Sequence, residues 1–336
     1  MKILTPIMSS NDIDILNPTV YGTEFFCGYL PEWWNERFCS REDSQVLSTP
    51  INNRNGKGAN VTDIDDLKEI VRKSAEYKTN IFLVLNAKYY PEYIYKEIKD
   101  YLDEVISVGI SHMIVCDIGM IKYLSENYPD VKVSVSCLNQ ITNYKAVQFY
   151  LQFGNVDRIV FPRHMSSEEM ESIVVRFPDM EFEYFIFSNK CLYDDGYCRG
   201  VHEFTPICKD LYYSDFYPRD NSELADDVEY KMRENDFQFH NWTRNDLNAS
   251  KNGYCTPNFA CTACSLRRMR NNSNIVSVKM SIRGHNVEER LRQVKMARSV
   301  IDAIDKGATE EEIKGIVSKL YGKDNLCKSE MSCMMI

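Results

Sequence analysis

Short apolar runs alternate along this chain with longer stretches whose apolar residues recur every three to four positions. The runs predict strands at Lys2–Ile7, Thr19–Phe26, Asn80–Leu85, His112–Cys116, Val131–Cys137, Arg158–Phe161, Glu181–Phe187 and Ile275–Ile282. Between them, Ile64, Leu67, Val71 and Ala75 mark one helical stripe. Ile94, Ile98, Leu102 and Val105 mark another, opened by Pro91 and closed by Gly109. Ser166 with Glu169 reads as a capping box ahead of Met170 and Ile173. Val287, Leu291, Val294, Arg298, Ile301 and Ile304 trace a late, long helix. Strand–helix alternation implies a parallel sheet, and eight repeats predict an α/β fold of the TIM-like (β/α)8 barrel type, with imperfect closure allowed. An open doubly wound sheet is the competing architecture. The absence of a Gly-rich turn after the first strand counts against it, because Thr5-Pro6-Ile7-Met8-Ser9 cannot cradle a pyrophosphate.

Two stretches break the repeat. Tyr29–Asn60 reads as a loop after the second strand. Lys190–Arg270 is a far longer insertion between strands seven and eight, and a structureless loop of that length needs an organiser. The expected organisation is therefore a barrel over 1–305, a Cys-rich insertion over 189–270 within it, and a C-terminal helix and flexible tail over 306–336.

Cysteine supplies the candidate organiser. The 336 residues include 12 Cys. Cys191, Cys198, Cys208, Cys255, Cys261 and Cys264 all fall in the insertion, and clustered thiols in a reducing compartment read as ligands for zinc or an iron–sulfur cluster. Only Cys261-Thr262-Ala263-Cys264 has the tight spacing of a zinc knuckle, so spacing tilts toward a cluster. Cys27, Cys39, Cys116 and Cys137 sit in apolar segments and are expected to be buried; Cys327 and Cys333 fall in the tail.

Charge and length narrow the function classes. Hydrophobic content is 44%, no apolar run approaches the roughly 18–20 residues of a membrane helix, and the first residues lack a signal-peptide core, which places the chain in the cytoplasm without membrane insertion. The net charge of −9 favours a small-molecule or peptide substrate over nucleic acid, although Ser265–Arg298 is basic and His202–Asn248 acidic. Strand ends of such a barrel carry its chemistry. Here they supply Asn86, Asp117, Asn139, Arg163, Cys191 and Arg283, to which Lys279 adds a cation. Asp117 reads equally as a helix cap, and Arg163 either as an anion fork or as an ion-pair partner of Glu168.

The run Glu183-Tyr184-Phe185-Ile186-Phe187-Ser188-Asn189-Lys190-Cys191, followed by Gly196-Tyr197-Cys198, resembles the signature of peptidase family U32. Val115-Cys116-Asp117-Ile118-Gly119-Met120, Ile159-Val160-Phe161-Pro162-Arg163 and Ser277-Val278-Lys279-Met280-Ser281-Ile282-Arg283-Gly284 are similar to its other elements. Two departures stand out: Ser188-Asn189 replaces the usual Gly before the first Cys, and Ser281 replaces a Glu. The resemblance implies oxygen-independent hydroxylation, as in ubiquinone synthesis or the modification of tRNA and ribosomal RNA. It also implies prephenate as oxygen donor and a 4Fe–4S cluster on Cys191, Cys198, Cys208 and a fourth Cys. Cys261 is the favoured fourth, with Cys255 and Cys264 as alternatives. On this reading Asp117, Arg163, Lys279 and Arg283 are catalytic, with the three cations binding an anion, and Asn86, Asn139 and Arg163 hold substrate. Two other readings are a peptidase or peptide-modifying enzyme with Cys191 or Cys198 as nucleophile, and a non-catalytic subunit. A homodimer, or a heterodimer with a second U32 protein, is expected.

Overall fold

The computed structural model describes residues 1–38, 50–54, 57–189, 196 and 259–321. Among the described residues nine strands lie in chain order: β1 Lys2–Pro6, β2 Thr23–Cys27, β3 Ile81–Leu85, β4 His112–Val115, β5 Lys132–Val135, β6 Val156–Val160, β7 Glu181–Asn189, β8 Phe259–Cys261 and β9 Ile275–Ser281. Eight of them pair in parallel, β1 through β7 in succession, then β7 with β9 and β9 with β1. The sheet therefore closes into a (β/α)8 barrel.

The helices are α1 Ser10–Leu16, α2 Glu32–Phe38, α3 Ile64–Glu76, α4 Tyr95–Ser107, α5 Ile118–Asn127, α6 Tyr144–Tyr150, α7 Ser167–Val174, α8 Ala263–Met269, α9 Val287–Asp305 and α10 Glu310–Tyr321. Their starts and stops follow local chemistry. Ser166 and Glu169 form the expected reciprocal cap of α7. Gly109, at φ 102°, takes the left-handed turn just past α4 that a side chain resists. The α4 stripe is buried as expected, with Ile94, Ile98, Leu102 and Val105 all at 0% exposure. The α3 face is rotated about a quarter turn from the expected one, with Leu67 common to both. Leu67, Ile70 and Ser74 are buried and Ala75 is exposed, because the Ser74 hydroxyl donates to the Val71 carbonyl at 2.8 Å and so carries its polarity inward satisfied.

Outward side chains of the strands join the helices in one continuous apolar layer. Inside the barrel, Leu4, Phe26, Phe82, Val84 and Ile114 form a second, smaller cluster. The expected loop Tyr29–Asn60 needs correction. It contains α2, whose Trp34 is buried against Phe38 and Tyr101, and the bridge Tyr29↔Val61 draws its two ends together. The insertion also contains two elements that the apolar pattern does not announce, β8 and α8. The three-residue β8 runs antiparallel to the end of β7, and α8 completes the helical ring by burying Ala263, Leu266 and Met269. At the other end of the chain, α10 buries Ile313 and Val317 in the same outer layer. No helix among the described residues is long and apolar enough to cross a membrane.

Candidate functional site

The barrel interior is polar at its N-terminal end. Arg158 on β6 spans it, donating to Glu24 on β2 at 3.0 Å, to Glu183 on β7 at 3.2 Å and to Glu181 at 2.7 Å. Glu183 also accepts from Ser277 at 2.5 Å and from Lys279 at 3.2 Å, and Glu24 accepts from Lys2 at 2.7 Å. Three acids thus face three bases. Burial pushes the Glu24 carboxyl up, but the charges of Arg158 and Lys2 outweigh it and hold the group below its ordinary range. Such a balanced network belongs to the end of the barrel that serves stability.

Lys279 is accounted for by this network. Its ammonium lies over the Phe26 ring at 4.8 Å and against Glu183, so its charge is neutralised inside the barrel. Arg163 sits one layer higher. It donates to Ser281 on β9 at 3.2 Å and lies over the Phe185 ring at 4.6 Å. Glu168, its alternative partner from sequence, is instead paired with Arg268. Arg283 is buried and donates to Asn52 Oδ1 at 2.9 Å. Asn52 donates in turn to Asn60 Oδ1 at 2.9 Å, and Gly28 beneath has no room for a Cβ, which would collide with Asn60 Oδ1. The segment before Val61 therefore folds down onto the mouth, with Asn86 held through its Oδ1 by the Asn53 amide at 3.1 Å. The three cations do not converge: Lys279 belongs to the floor network, and Arg163 and Arg283 are engaged separately above it. The compensating acid for Lys279 is Glu183, whereas Asp117 is occupied elsewhere.

Asp117 caps α5, accepting the Met120 amide at 2.7 Å. Burial raises its carboxyl pKa, opposed by the amides of Met120, Tyr90 and Gly119. Asn139 accepts a hydrogen bond from the Cys116 thiol at 3.2 Å. Cys27, Cys116 and Cys137 are buried as expected. Gly196 presses on the rim above β5: a Cβ there would collide with Gln140 and stand 2.7 Å from the Leu138 carbonyl oxygen. It sits two positions before Cys198, and the loop it touches carries Asn139.

Among the candidate ligands, Cys191, Cys198, Cys208 and Cys255 lie outside the described residues, as do Cys39, Cys327 and Cys333. Cys261 ends β8 opposite Phe187, is partly exposed, and its sulfur accepts the Ala263 amide at 3.4 Å. A backbone N–H aimed at sulfur suits a thiolate ligand. Cys264, on α8, is partly buried against the outer core. No group of three or more metal-ligating side chains occurs among the described residues. Sequence reasoning missed Lys88, whose ammonium is buried without a hydrogen-bond partner among the described residues. It took the first polar residue after β3, Asn86, and stopped two positions short.

Barrel and rim together define a (β/α)8 protein with an ion-paired floor and a polar mouth beside a Cys-rich insertion. The profile of Peptidase family U32 matches residues 48–329, and the chain belongs to this family. It is similar to tRNA hydroxylation protein P of Escherichia coli (strain K12), 32% identical over 29% of this chain and 21% of the relative. The Haemophilus influenzae protein of the same name is 32% identical over 30% and 22%. tRNA hydroxylation protein P1 of Bacillus subtilis (strain 168) is 29% identical over 40% and 31%. These matches span between about a fifth and a third of the relatives' length. The solved U32 peptidase Mk0906 is 12% identical, with TM-score 0.41 over 56% of this chain and 70% of that one.

The relatives' names overturn the preference for a small-molecule or peptide substrate over nucleic acid. That preference rested on net charge, which sums an acidic and a basic segment that need not share a face; only the field at the contacting surface bears on a polyanion.

Proposed function

We propose that this chain takes part in oxygen-independent hydroxylation of RNA, with tRNA as the substrate. The observation that carries the reading is the similarity to three proteins named for tRNA hydroxylation, within a shown family membership. The polar C-terminal mouth, where barrels of this type place their chemistry, supports it. Cys191, Cys198, Cys208 and Cys261 would hold a 4Fe–4S cluster, the Cys261 sulfur with its amide donor fitting that role. Such a cluster supplies one-electron chemistry or a site for an oxygen donor, prephenate in the family reading. Of the chain's own groups, Arg163 would meet an anionic part of a ligand beside Phe185, and Asn139 and Asn86 would orient it.

The test is nucleoside mass spectrometry of total tRNA from cells with and without the gene. Loss of one hydroxylated nucleoside, restored by the wild-type chain, is expected. An unchanged set of modified nucleosides would refute the reading. Iron and sulfide analysis of anaerobically purified protein tests the cluster separately; zinc in place of iron would remove it.

A further inference from the structure

Two of the chain's three tryptophans are adjacent on α2, and they begin an unbroken run of aromatic rings. Ring centroids lie 5.5 Å apart between Trp33 and Trp34, and 6.0 Å between Trp34 and Tyr101 on α4. The next step, from Tyr101 to Tyr29 just past β2, is 5.8 Å. The run crosses from solvent into the core: Trp33 is 36% exposed, Trp34 and Tyr101 are at 0% and Tyr29 at 2%. Its buried end adjoins the mouth. The Tyr101 hydroxyl donates to the Tyr29 carbonyl at 3.0 Å, and Tyr90 acts on it electrostatically. The Tyr90 hydroxyl in turn donates to the Ile51 carbonyl of the segment folded onto the mouth, at 2.6 Å.

Such ring spacings are ordinary in cores. Packing alone gives no reason for the acid set among these rings. The Glu104 carboxylate, on α4, draws hydrogen bonds from both the Tyr29 hydroxyl and the Trp33 indole. Its Oε2 is buried and has no partner among the described residues. Burial raises the Glu104 pKa against the pull of those two donors, so it takes a proton more readily than an ordinary carboxylate. Burial and the Glu104 charge also raise the Tyr29 phenol, which therefore keeps its proton at rest. Phenol and indole are the side-chain rings most easily oxidised by one electron. A buried phenol that loses an electron must shed its proton as well, because a new buried charge is costly.

We propose that Trp33, Trp34, Tyr101 and Tyr29 form a one-electron relay between solvent and the barrel mouth, with Glu104 as its proton acceptor. An oxidant at the mouth, of the class of oxygen- or sulfur-centred radicals, gains one electron from the run. The vacancy comes to rest on Tyr29, whose phenolic proton passes to Glu104 as the neutral tyrosyl radical forms. A soluble reductant such as ascorbate then supplies one electron at Trp33, and Glu104 returns the proton. The relay so clears stray oxidants from the mouth. It rests on no part of the RNA reading and survives its failure.

Laser flash photolysis of the full chain tests it, with photogenerated ruthenium(III) tris-bipyridine as the oxidant, which needs neither RNA nor a bound metal. In the wild-type chain a tryptophanyl radical should decay as a tyrosyl radical grows. Exposed tyrosines such as Tyr89, at 61% exposure, add a fast direct signal, which Tyr89→Phe should trim without touching the slower phase. Trp34→Phe and Tyr29→Phe should each remove that slower phase, and in Tyr29→Phe the tryptophanyl radical should persist. Glu104→Gln should slow tyrosyl growth roughly 100-fold, the scale of one positioned proton acceptor, and remove its solvent deuterium effect. Phe38→Leu disturbs the packing on Trp34, whose ring lies 4.7 Å away, yet should keep the phase because Phe38 is not in the run. A slow phase surviving in Trp34→Phe or Tyr29→Phe would overturn the relay, and an unchanged rate in Glu104→Gln would overturn the proton acceptor. Should a variant fail to fold, the wild-type trace still decides: a tryptophanyl radical that decays with no tyrosyl growth overturns the proposal.

Discussion

Arg158 on β6 reaches across the barrel to donate to Glu24 on β2 at 3.0 Å, with both side chains almost wholly buried. The same guanidinium serves Glu183, so removing it takes a charged partner from two buried carboxylates. Arg158→Met should cost ~3–5 kcal/mol in urea unfolding, the range for breaking a buried pair from one side. A cost under about 1 kcal/mol would mean that water enters the barrel floor and screens these charges.

Acid sensitivity should follow from Glu24. Its folded pKa lies below the ordinary 4.5, so the folded state binds the proton less tightly than the unfolded chain. Its contribution is therefore complete above about pH 4.5 and is lost as pH falls through the lowered folded value. Glu24→Gln should be less stable at neutral pH, and its stability should fall less steeply into acid. Parallel curves of unfolding free energy against pH for the two proteins would assign the acid limb to other groups.

Gly28→Ala should destabilise by ~1–3 kcal/mol, the usual cost of overpacking. Its methyl would displace Asn60 and disturb the Asn52–Arg283 contact. The check is a double-mutant cycle with Asn60→Ala: the second change should cost less in the Gly28→Ala background than alone. Strict additivity would show that the two positions do not meet.

Asp117 separates capping from chemistry. Asp117→Ala should lose ~0.5–2 kcal/mol with the α5 cap, whereas Asp117→Asn, an equally good cap, should stay near wild type. Because its carboxylate is engaged with backbone amides, Asp117→Asn should also keep most of the proposed tRNA hydroxylation, read by nucleoside mass spectrometry. A stable Asp117→Asn protein without activity would give the charge a chemical role.

The cysteines should sort by iron content. Cys261→Ser should lose iron from anaerobically prepared protein. Cys27→Ser, Cys116→Ser and Cys137→Ser should keep it, the Cys27 change at a cost of ~1–3 kcal/mol for burying a hydroxyl in the apolar cluster. Equal iron in both sets would strip Cys261 of its ligand role.

The barrel was legible because its strands carry long apolar runs, outward against helices and partly inward, and because caps such as Ser166 with Glu169 announce themselves locally. Polar residues within those strands were harder to place. Glu24 and Arg158 answer each other from opposite sides of the barrel, and nothing local in either strand names the other. Ser74 hid on the buried face of α3 by bonding to its own helix. A three-residue antiparallel strand has no periodicity to read, which concealed β8. At the mouth, Asn86, Asn139 and Arg163 were found from their positions at strand ends. Lys88 lies in a loop with no local pattern to mark it, and only the structure shows its ammonium buried.

The pairing of Asn189 with Phe259 places the exit and re-entry of the Cys-rich insertion on neighbouring strands, roughly 5 Å apart. The chain thus leaves and rejoins the barrel sheet at nearly one point. Lengthening or shortening the stretch changes little in the closure entropy, which grows only logarithmically with loop length. Whatever chemistry the insertion carries can then be exchanged between relatives as a cassette, while the eight-stranded frame beneath keeps its register.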